Sequence, residues 1–485
     1  MTIDALLSLA PSRRITESAA AADPGSIFVC IRGAHADGHT FAPEAYRRGC
    51  RLFVAEHALP LPPDAEIVQV PDTHAALASL ACAHENYPSR ELAVIGITGT
   101  KGKTTTALLL AHILNRSGVR CGYIGTNGID TGNGCLTVTA NTTPDAVTLQ
   151  HALRQTVQSG CRAVALEVSS QALKLGRVAG TAFDSCLFTN LSPDHIGPTE
   201  HPDFADYAAC KRSLFVDYPV RSVLCSVDDP FAQTLLTDTK APERVTCSVG
   251  GKADFTARDV LPLRTATALG STFLLHAPGA APIPCRLPLI GGGNVSNALL
   301  AVACAVRRFG IPPAAAAEAL ADAVIPGRSE IIGLPCGALG LIDYAHNGVS
   351  LRRLLTELRA YTTGRLIVLF GSVGERTRLR RQELGAVAGA LSDLVILTSD
   401  NPGREDPAAI IRDIAGGMQG STVPHLEIPD RAEAIRTAAA LLRPGDILVL
   451  AGKGHERSQL IGTKKIPFCE KEILQSCFTP AGERS

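Results

Sequence analysis

The chain has 485 residues, of which 46% are hydrophobic and 19% charged, and its 46 Lys and Arg balance 46 Asp and Glu. That composition excludes a disordered chain, and zero net charge offers no global field for nucleic acid or an anionic membrane. The length exceeds one ordinary core, so about two to four domains are expected.

The first residues, "MTIDALLSLAPSRRITESAAAADPG", place no apolar core behind a basic start, so no signal peptide is expected. No run reaches about 18 uninterrupted apolar residues, and a cytoplasmic protein without membrane insertion is expected. The 15 cysteines are scattered, odd in number and contain no Cys-x-x-Cys pair. Buried free thiols are therefore favoured over a disulfide framework or a zinc site. "SIFVCIRG" (26–33) and "CRLFVAE" (50–56) read as strands flanking a helix near 42–48, and the polar "ENYPSR" (85–90) closes a first section near residue 88.

"GITGTKGKTTTALLL" (96–110) follows as an apolar strand, a glycine loop and a helix start. Gly99, Thr100, Lys101, Gly102, Lys103, Thr104 and Thr105 carry the GxxGK[ST] core of a phosphate cradle. Glycines let backbone N–H groups close on phosphate oxygens, and the helix N-terminus adds a favourable dipole. Lys103 has the reach for the β- and γ-phosphates, and the Thr104 hydroxyl can ligate Mg²⁺. "DTGNGCLTV" (130–138) reads as a hairpin turn, and "RAVALEV" (162–168) and "FDSCLFT" (183–189) as buried strands. Glu167 closes the first of these strands, either as a second metal contact or as a plain acid at a strand end. "TNLSPDHIG" (189–197) offers Asp194 and His195, the histidine being a metal ligand or a structural residue. Lys211, in "DYAACKRSLF", is by itself one lysine among many. "PPAAAAEALADAV" (312–324) is a packing helix, and "VIPGRSE" (324–330) marks a boundary near 325.

The last section repeats one event. "RLIVLFGSVGE", "DLVILTSDNPG" and "DILVLAGKGHE" are apolar strands ending in Gly- or Asp-containing loops. Strand–loop–helix repetition implies a mostly parallel, doubly wound sheet with ligands at the carboxyl ends of its strands. The tips 371–376, 400–404 and 452–456 are therefore expected along one edge. The basic run Arg376, Arg378, Arg380 and Arg381 reads as a solvated helix face.

"GITGTKGKTTT", "NTTPD", "LEVSSQAL", "TNLSPDH", "GGGNVSNALLA", "VIPGRSE", "IDYAHN", "SDNPG" and "AGKGHE" occur in one order along the chain. In that order they resemble the Mur ligases over nearly the whole length. "DNP" with "GKGHE" points to the branch that adds the third residue of the stem peptide. The resemblance implies an α/β protein of three domains. These are a UDP-binding domain (1–88), a central P-loop ATPase domain (89–325) and a Rossmann-like amino-acid-binding domain (326–485). It implies a role in peptidoglycan synthesis: the γ-carboxylate of UDP-MurNAc-L-Ala-D-Glu takes a phosphoryl group from ATP, and a diamino acid then displaces phosphate. A monomer acting on small molecules is expected.

By the same resemblance, Gly99 to Thr105 hold the triphosphate, Thr104 and Glu167 one Mg²⁺, and His195 a second. Lys211 resembles a lysine that becomes a carbamate and bridges metal ions; Lys103, Glu167, His195 and Lys211 are the expected catalytic set. Asn294 and Asn297 resemble nucleotide-base contacts, and Arg328, Asp343, Tyr344 and His346 groups that close over ATP. Asn141, Thr142, Thr143, Ser169 and Arg177 resemble muramoyl-peptide contacts. Arg376, Asp400, Asn401, Pro402, Gly403, Arg404, Gly452 and Glu456 resemble the pocket for the incoming amino acid.

The chain departs from the family in places. The family's Asp-Ser-Arg grip on uridine diphosphate aligns with Ser18, Ala19 and Ala20, so a pocket built through Ala34, His35 and Ala36 is expected instead. "DNPG" stands where diaminopimelate-adding members carry Asp-Asn-Pro-Arg, and Arg404 follows Gly403 one residue late. L-Lysine and L-ornithine lack the distal carboxylate that such an arginine pairs with, so they are slightly favoured over meso-diaminopimelate. The alternatives are another ligase of the superfamily or a non-catalytic nucleotide-binding module derived from one.

Overall fold

The computed structural model describes residues 2–33, 36–194, 196–197, 200–326, 330–375 and 378–478. The chain separates into two compact units. One comprises Met1–Arg258, Leu275–Ile283 and Ser296–Ala319, the other Asp259–Leu274, Pro284–Val295 and Leu320–Ser485.

The first unit opens with four parallel strands paired in chain order: Arg14–Thr16, Ser26–Val29, Leu52–Ala55 and Glu66–Gln69. Side chains alternate across a strand. Thus Ile27 and Val29 pack with the helices Ile3–Leu9 and Thr73–His84, while Phe28 and Cys30 pack with the helix Ala42–Arg47. The expected helix between two strands is present. Asp72 caps Thr73–His84 by accepting from the amides of His74 and Ala75.

The larger sheet of this unit places the phosphate-loop strand at its centre. Ala93–Thr98 pairs in parallel with Ala163–Glu167 on one side and Ser185–Phe188 on the other. Cys121–Gly125 continues the first side, and Ser222–Ser226 and Glu243–Val249 the second. Both apolar runs read from sequence are therefore interior strands. The turn expected at 130–138 is also present, because Ile129 and Thr137 exchange backbone hydrogen bonds at 2.8 and 2.9 Å.

The second unit contains a sheet ordered Glu330–Gly333, Leu339–Asp343, Ile447–Ala451, Leu366–Phe370, Leu394–Leu397 and His425–Glu427. Only the first pairing is antiparallel. Leu366, Val368 and Phe370 face the helices Gly348–Arg359, Leu379–Leu391 and Pro407–Gly416. Ile367 and Leu369 face Arg431–Leu441 and Glu470–Ser476. Helices on both faces make this the doubly wound sheet expected from the strand–loop repetition.

The basic run beside this sheet is not uniformly a solvated face. Arg381 is 1% exposed at its side chain and binds Glu405 at 2.7 Å and Asp413 at 2.9 Å. Two acids from a neighbouring segment draw it inward, which local sequence does not reveal; Arg376 lies outside the described residues. A second buried arginine supports the strand tips. Arg431 pairs with Glu470 at 2.8 Å and donates to the carbonyls of Ser399 and Ala451 at 2.9 and 2.8 Å. Removing one partner of such a pair leaves an uncompensated buried charge. Arg431→Met is therefore expected to destabilise this unit by about 3–5 kcal/mol, read as a lower urea midpoint; an unchanged midpoint would refute the clamp.

None of the fifteen cysteines, all among the described residues, is joined in a disulfide. Among the described residues no helix is long and apolar enough to cross a membrane.

Candidate active site

The strand Ala93–Thr98 ends in the glycine loop, and the helix Lys103–Arg116 begins immediately after it. Gly102 has φ +89°, and a Cβ there would meet Asn297 Oδ1 at 2.3 Å. The turn and the asparagine beside it therefore both require glycine. Lys103 Nζ donates to the carbonyls of Gly99 at 2.9 Å and Thr100 at 3.3 Å, so the lysine is folded back on its own loop. Lys101 pairs with Asp194 at 2.9 Å, and its backbone amide is held by Asn190 Oδ1 at 3.0 Å. Thr105 is buried in the first turn of the helix.

Glu167 is 0% exposed, and both of its carboxylate oxygens are hydrogen-bonded. Its Oε1 accepts from the Tyr123 hydroxyl at 2.6 Å and the Thr126 amide at 3.0 Å. Its Oε2 accepts from the Thr104 hydroxyl at 2.9 Å and the Thr126 hydroxyl at 3.1 Å. This carboxylate is no plain strand-end acid. The parallel register of Ala163–Glu167 with Ala93–Thr98 places it beside the phosphate loop. Thr104 and Glu167 offer only hard oxygen donors, a set that suits Mg²⁺.

Lys211 lies on the helix Phe204–Val216 and is 1% exposed. Its Nζ reaches the same Gly99 carbonyl that Lys103 uses, at 2.9 Å, and sits 4.6 Å from the centre of the Tyr207 ring. Tyr207, one turn earlier, donates to Thr100 Oγ1 at 3.1 Å. Burial holds the Lys211 amine well below the ordinary lysine pKa, the Lys103 charge lowers it further, and Asp194 opposes the shift. His201 ties this helix to the next wall of the site, with Nδ1 2.6 Å from Asp206 and Nε2 2.9 Å from Ser170 Oγ.

That wall is formed by 139–145 and the turn after Glu167. The Thr143 hydroxyl donates to the Glu167 carbonyl at 2.8 Å and accepts from the Ser169 amide at 3.0 Å. Arg177 donates to the Thr143 carbonyl at 3.1 Å. Desolvation lowers the Arg177 pKa, while Asp145 and Glu17 act in the other direction. Thr142 Oγ1 lies 3.1 Å from Thr126 Oγ1, and Thr139 donates to the carbonyl of the exposed Asn141 at 3.0 Å. Ala36 accepts from the Gly33 amide at 2.9 Å; Ala34 and His35 lie outside the described residues.

In the second unit the strand tips form another cluster. Glu456 Oε2 accepts from Lys453 Nζ at 2.9 Å and Asn401 Nδ2 at 3.0 Å. Gln459 donates to the Asp400 carbonyl at 2.7 Å, and a Cβ on Gly452 would meet Asp400 Oδ2 at 2.8 Å. Gly403 has φ +59°, its amide donates to Leu460 at 3.2 Å, and its carbonyl accepts from Gly462 at 2.7 Å. Backbone geometry therefore accounts for glycine at 403, since a side chain there would be strained. Arg404 follows it and is exposed, while Pro402 is buried. Asp343 caps the Ala345 amide at 2.9 Å, and Tyr344 stacks obliquely on His455 with ring centres 5.2 Å apart. His346 Nδ1 lies 2.9 Å from the Tyr344 carbonyl. In the same unit, Asn294 Nδ2 donates to the Ile290 carbonyl at 2.9 Å.

His195, Arg328 and Arg376 lie outside the described residues. Sequence reasoning missed Tyr123, Thr126 and Tyr207, which have no motif of their own, and Lys453, which stood in view inside "AGKGHE".

Residues 15–85 match the catalytic domain of the Mur ligase family, 97–305 the Mur ligase middle domain and 327–454 the Mur ligase glutamate ligase domain. The chain is 41% identical over 475 residues to the UDP-N-acetylmuramoyl-L-alanyl-D-glutamate–2,6-diaminopimelate ligase of Chlorobaculum tepidum, covering 96% of this chain and 92% of the relative. It is 39% identical to the ligase of the same name from Thermosynechococcus vestitus, covering 94% of this chain and 91% of that protein. A solved structure of a ligase of that name superimposes with a TM-score of 0.70 at 30% identity, covering 96% of this chain and 94% of the other.

Proposed function

The chain belongs to the Mur ligase family, and from that premise we propose that it ligates UDP-N-acetylmuramoyl-L-alanyl-D-glutamate to meso-diaminopimelate, driven by ATP. One observation carries the reaction class: Lys103 and Lys211 converge on the Gly99 carbonyl beside the buried Thr104–Glu167 pair. A carboxylate is inert to amines, and phosphorylation gives it a leaving group. The D-glutamate γ-carboxylate oxygen attacks the γ-phosphorus and ADP leaves. The amine then attacks the acyl carbon, phosphate departs and the amine loses its proton.

The chain's own groups fit these steps. Lys103 exchanges its loop carbonyls for phosphate oxygens, and the loop amides surround the triphosphate. Thr143, Ser169 and Arg177 line the approach of the muramoyl peptide. Thr104 and Glu167 would hold Mg²⁺, which supplies positive charge against the phosphates. Lys211, whose pKa burial depresses, is suited to add CO₂ through its neutral form and become a carbamate, with release of a proton. The domains proposed for these roles are 1–88, 89–325 and 326–485.

The choice of diaminopimelate follows the names of the relatives at 39–41% identity. The preference for L-lysine or L-ornithine rested on Gly403, and those relatives give it no support. The left-handed backbone at 403 offers a separate reason for glycine, and the exposed Arg404 beside it is available to a distal carboxylate. A panel of meso-diaminopimelate, L-lysine and L-ornithine, followed by phosphate release and product mass, tests the assignment. Diaminopimelate is expected to exceed the others in kcat/KM by about tenfold or more, the scale of one hydrogen bond to a charged group, because it alone offers a distal carboxylate to Arg404. Equal or better ligation of lysine or ornithine would overturn it.

A further inference from the structure

We propose that Lys453 is a positioning residue that sets the charge and geometry of the amino-acid pocket; this rests on the pocket assignment made above. Lys453 has no exposed side-chain surface. Its Nζ lies 2.9 Å from Glu456 Oε2, 3.1 Å from Asn401 Oδ1 and 3.7 Å from Asp400 Oδ1. A buried ammonium is costly unless oxygens surround it, and here two strand tips supply three. Those tips follow the strands Leu394–Leu397 and Ile447–Ala451, so the lysine fastens one tip to the other.

The consequence for Glu456 is directional. Lys453 and the Asn401 amide both occupy Oε2, and Asn401 is itself held by the Leu460 amide, which donates to Oδ1 at 3.0 Å. The remaining accepting capacity of the carboxylate therefore centres on Oε1, on a side chain that is 30% exposed. Charge is set by the same contacts. Asp400 and Glu456 bring two carboxylates and Lys453 one ammonium, leaving one net negative charge among these three side chains. Such a pocket admits an amino-acid end that carries an ammonium and a carboxylate together. Without Lys453 the two acids would repel the substrate carboxylate and favour a bare ammonium.

The test measures K453M and K453Q for KM of meso-diaminopimelate, L-lysine, ATP and the nucleotide-peptide. The KM for diaminopimelate is expected to rise by about tenfold or more, as when one partner of a buried charge pair is removed. The KM values for ATP and the nucleotide-peptide should stay within about twofold, because Lys453 Nζ contacts Glu456, Asn401 and Asp400 and none of the groups assigned to those substrates. The ratio of kcat/KM for L-lysine over diaminopimelate should rise, and K453R, which keeps the cation, should recover part of the loss. An unchanged KM for the amino acid, an equal rise in all three KM values, or failure of all three variants to fold would overturn the proposal. A parent enzyme that uses L-lysine alone would overturn only the choice of diaminopimelate. The same variants read with L-lysine would then decide the role of Lys453, an unchanged KM counting against it.

Discussion

Glu167→Gln is expected to lower kcat for ATP-dependent ligation by about 10²–10³-fold, the scale of losing one preorganised electrostatic contact at the reacting centre. The substitution keeps the shape and removes the charge. It also forces an NH₂ group towards one pair of donors, either Tyr123 with the Thr126 amide or Thr104 with the Thr126 hydroxyl. The Thr126 amide cannot accept, so the NH₂ faces the Thr104 and Thr126 hydroxyls, which must turn to accept and give up their own acceptor, at a cost of about 1–3 kcal/mol in stability. The two effects separate by measurement. Circular dichroism should show a folded protein with a lower unfolding midpoint, while phosphate release falls far more than that change explains. A variant that ligates within about tenfold of the parent would show that the charge of Glu167 is dispensable.

Lys211→Ala and Lys211→Arg should each cost about 10²-fold or more in rate, and the arginine result is the informative one. Arginine keeps a cation where lysine stands, yet it stays protonated and does not add CO₂. Burial and the Lys103 charge depress the Lys211 pKa, so the neutral amine predominates further below pH 10.5 than for an exposed lysine. The sign follows directly: raising pH through the depressed pKa increases the amine that can take up CO₂, and lowering pH removes it. Parent enzyme depleted of CO₂ at the acid end of its range should lose activity and regain it on addition of bicarbonate. Short carboxylic acids should partly restore Lys211→Ala by supplying the missing anion. An active Lys211→Arg enzyme, or a parent indifferent to bicarbonate, would remove the carbamate from the proposal.

Both predictions concern residues that single-sequence reasoning treats very differently. Glu167 was legible because an apolar strand ending in an acid, downstream of a glycine loop, has a short set of uses. Its dependence on Tyr123 and Thr126 was not legible, since these come from the adjoining strand Cys121–Gly125 and the turn after it. Lys211 stood out only through the family resemblance. Its altered chemistry arises from burial against Tyr207 and Gly99, more than a hundred positions away from the latter. Arg381 shows the opposite error, a cation that local composition assigns to solvent and tertiary contacts draw inside.

Gly403 marks the boundary most clearly. Its identity invited an argument about the substrate, yet its positive φ and its pairing with Leu460 and Gly462 supply a backbone reason for the same residue. By itself the sequence determined the strand–loop–helix units around the phosphate loop and in the last section, the edge on which the later strand tips gather, and the family. Those features depend on local periodicity, on turn chemistry and on motifs contiguous in the chain. The tertiary structure alone decided which acids are saturated with donors, which lysine is desolvated, and that Lys453 joins two tips. Such properties depend on distances between residues far apart in the chain and on exclusion of water, and neither is encoded at any single position.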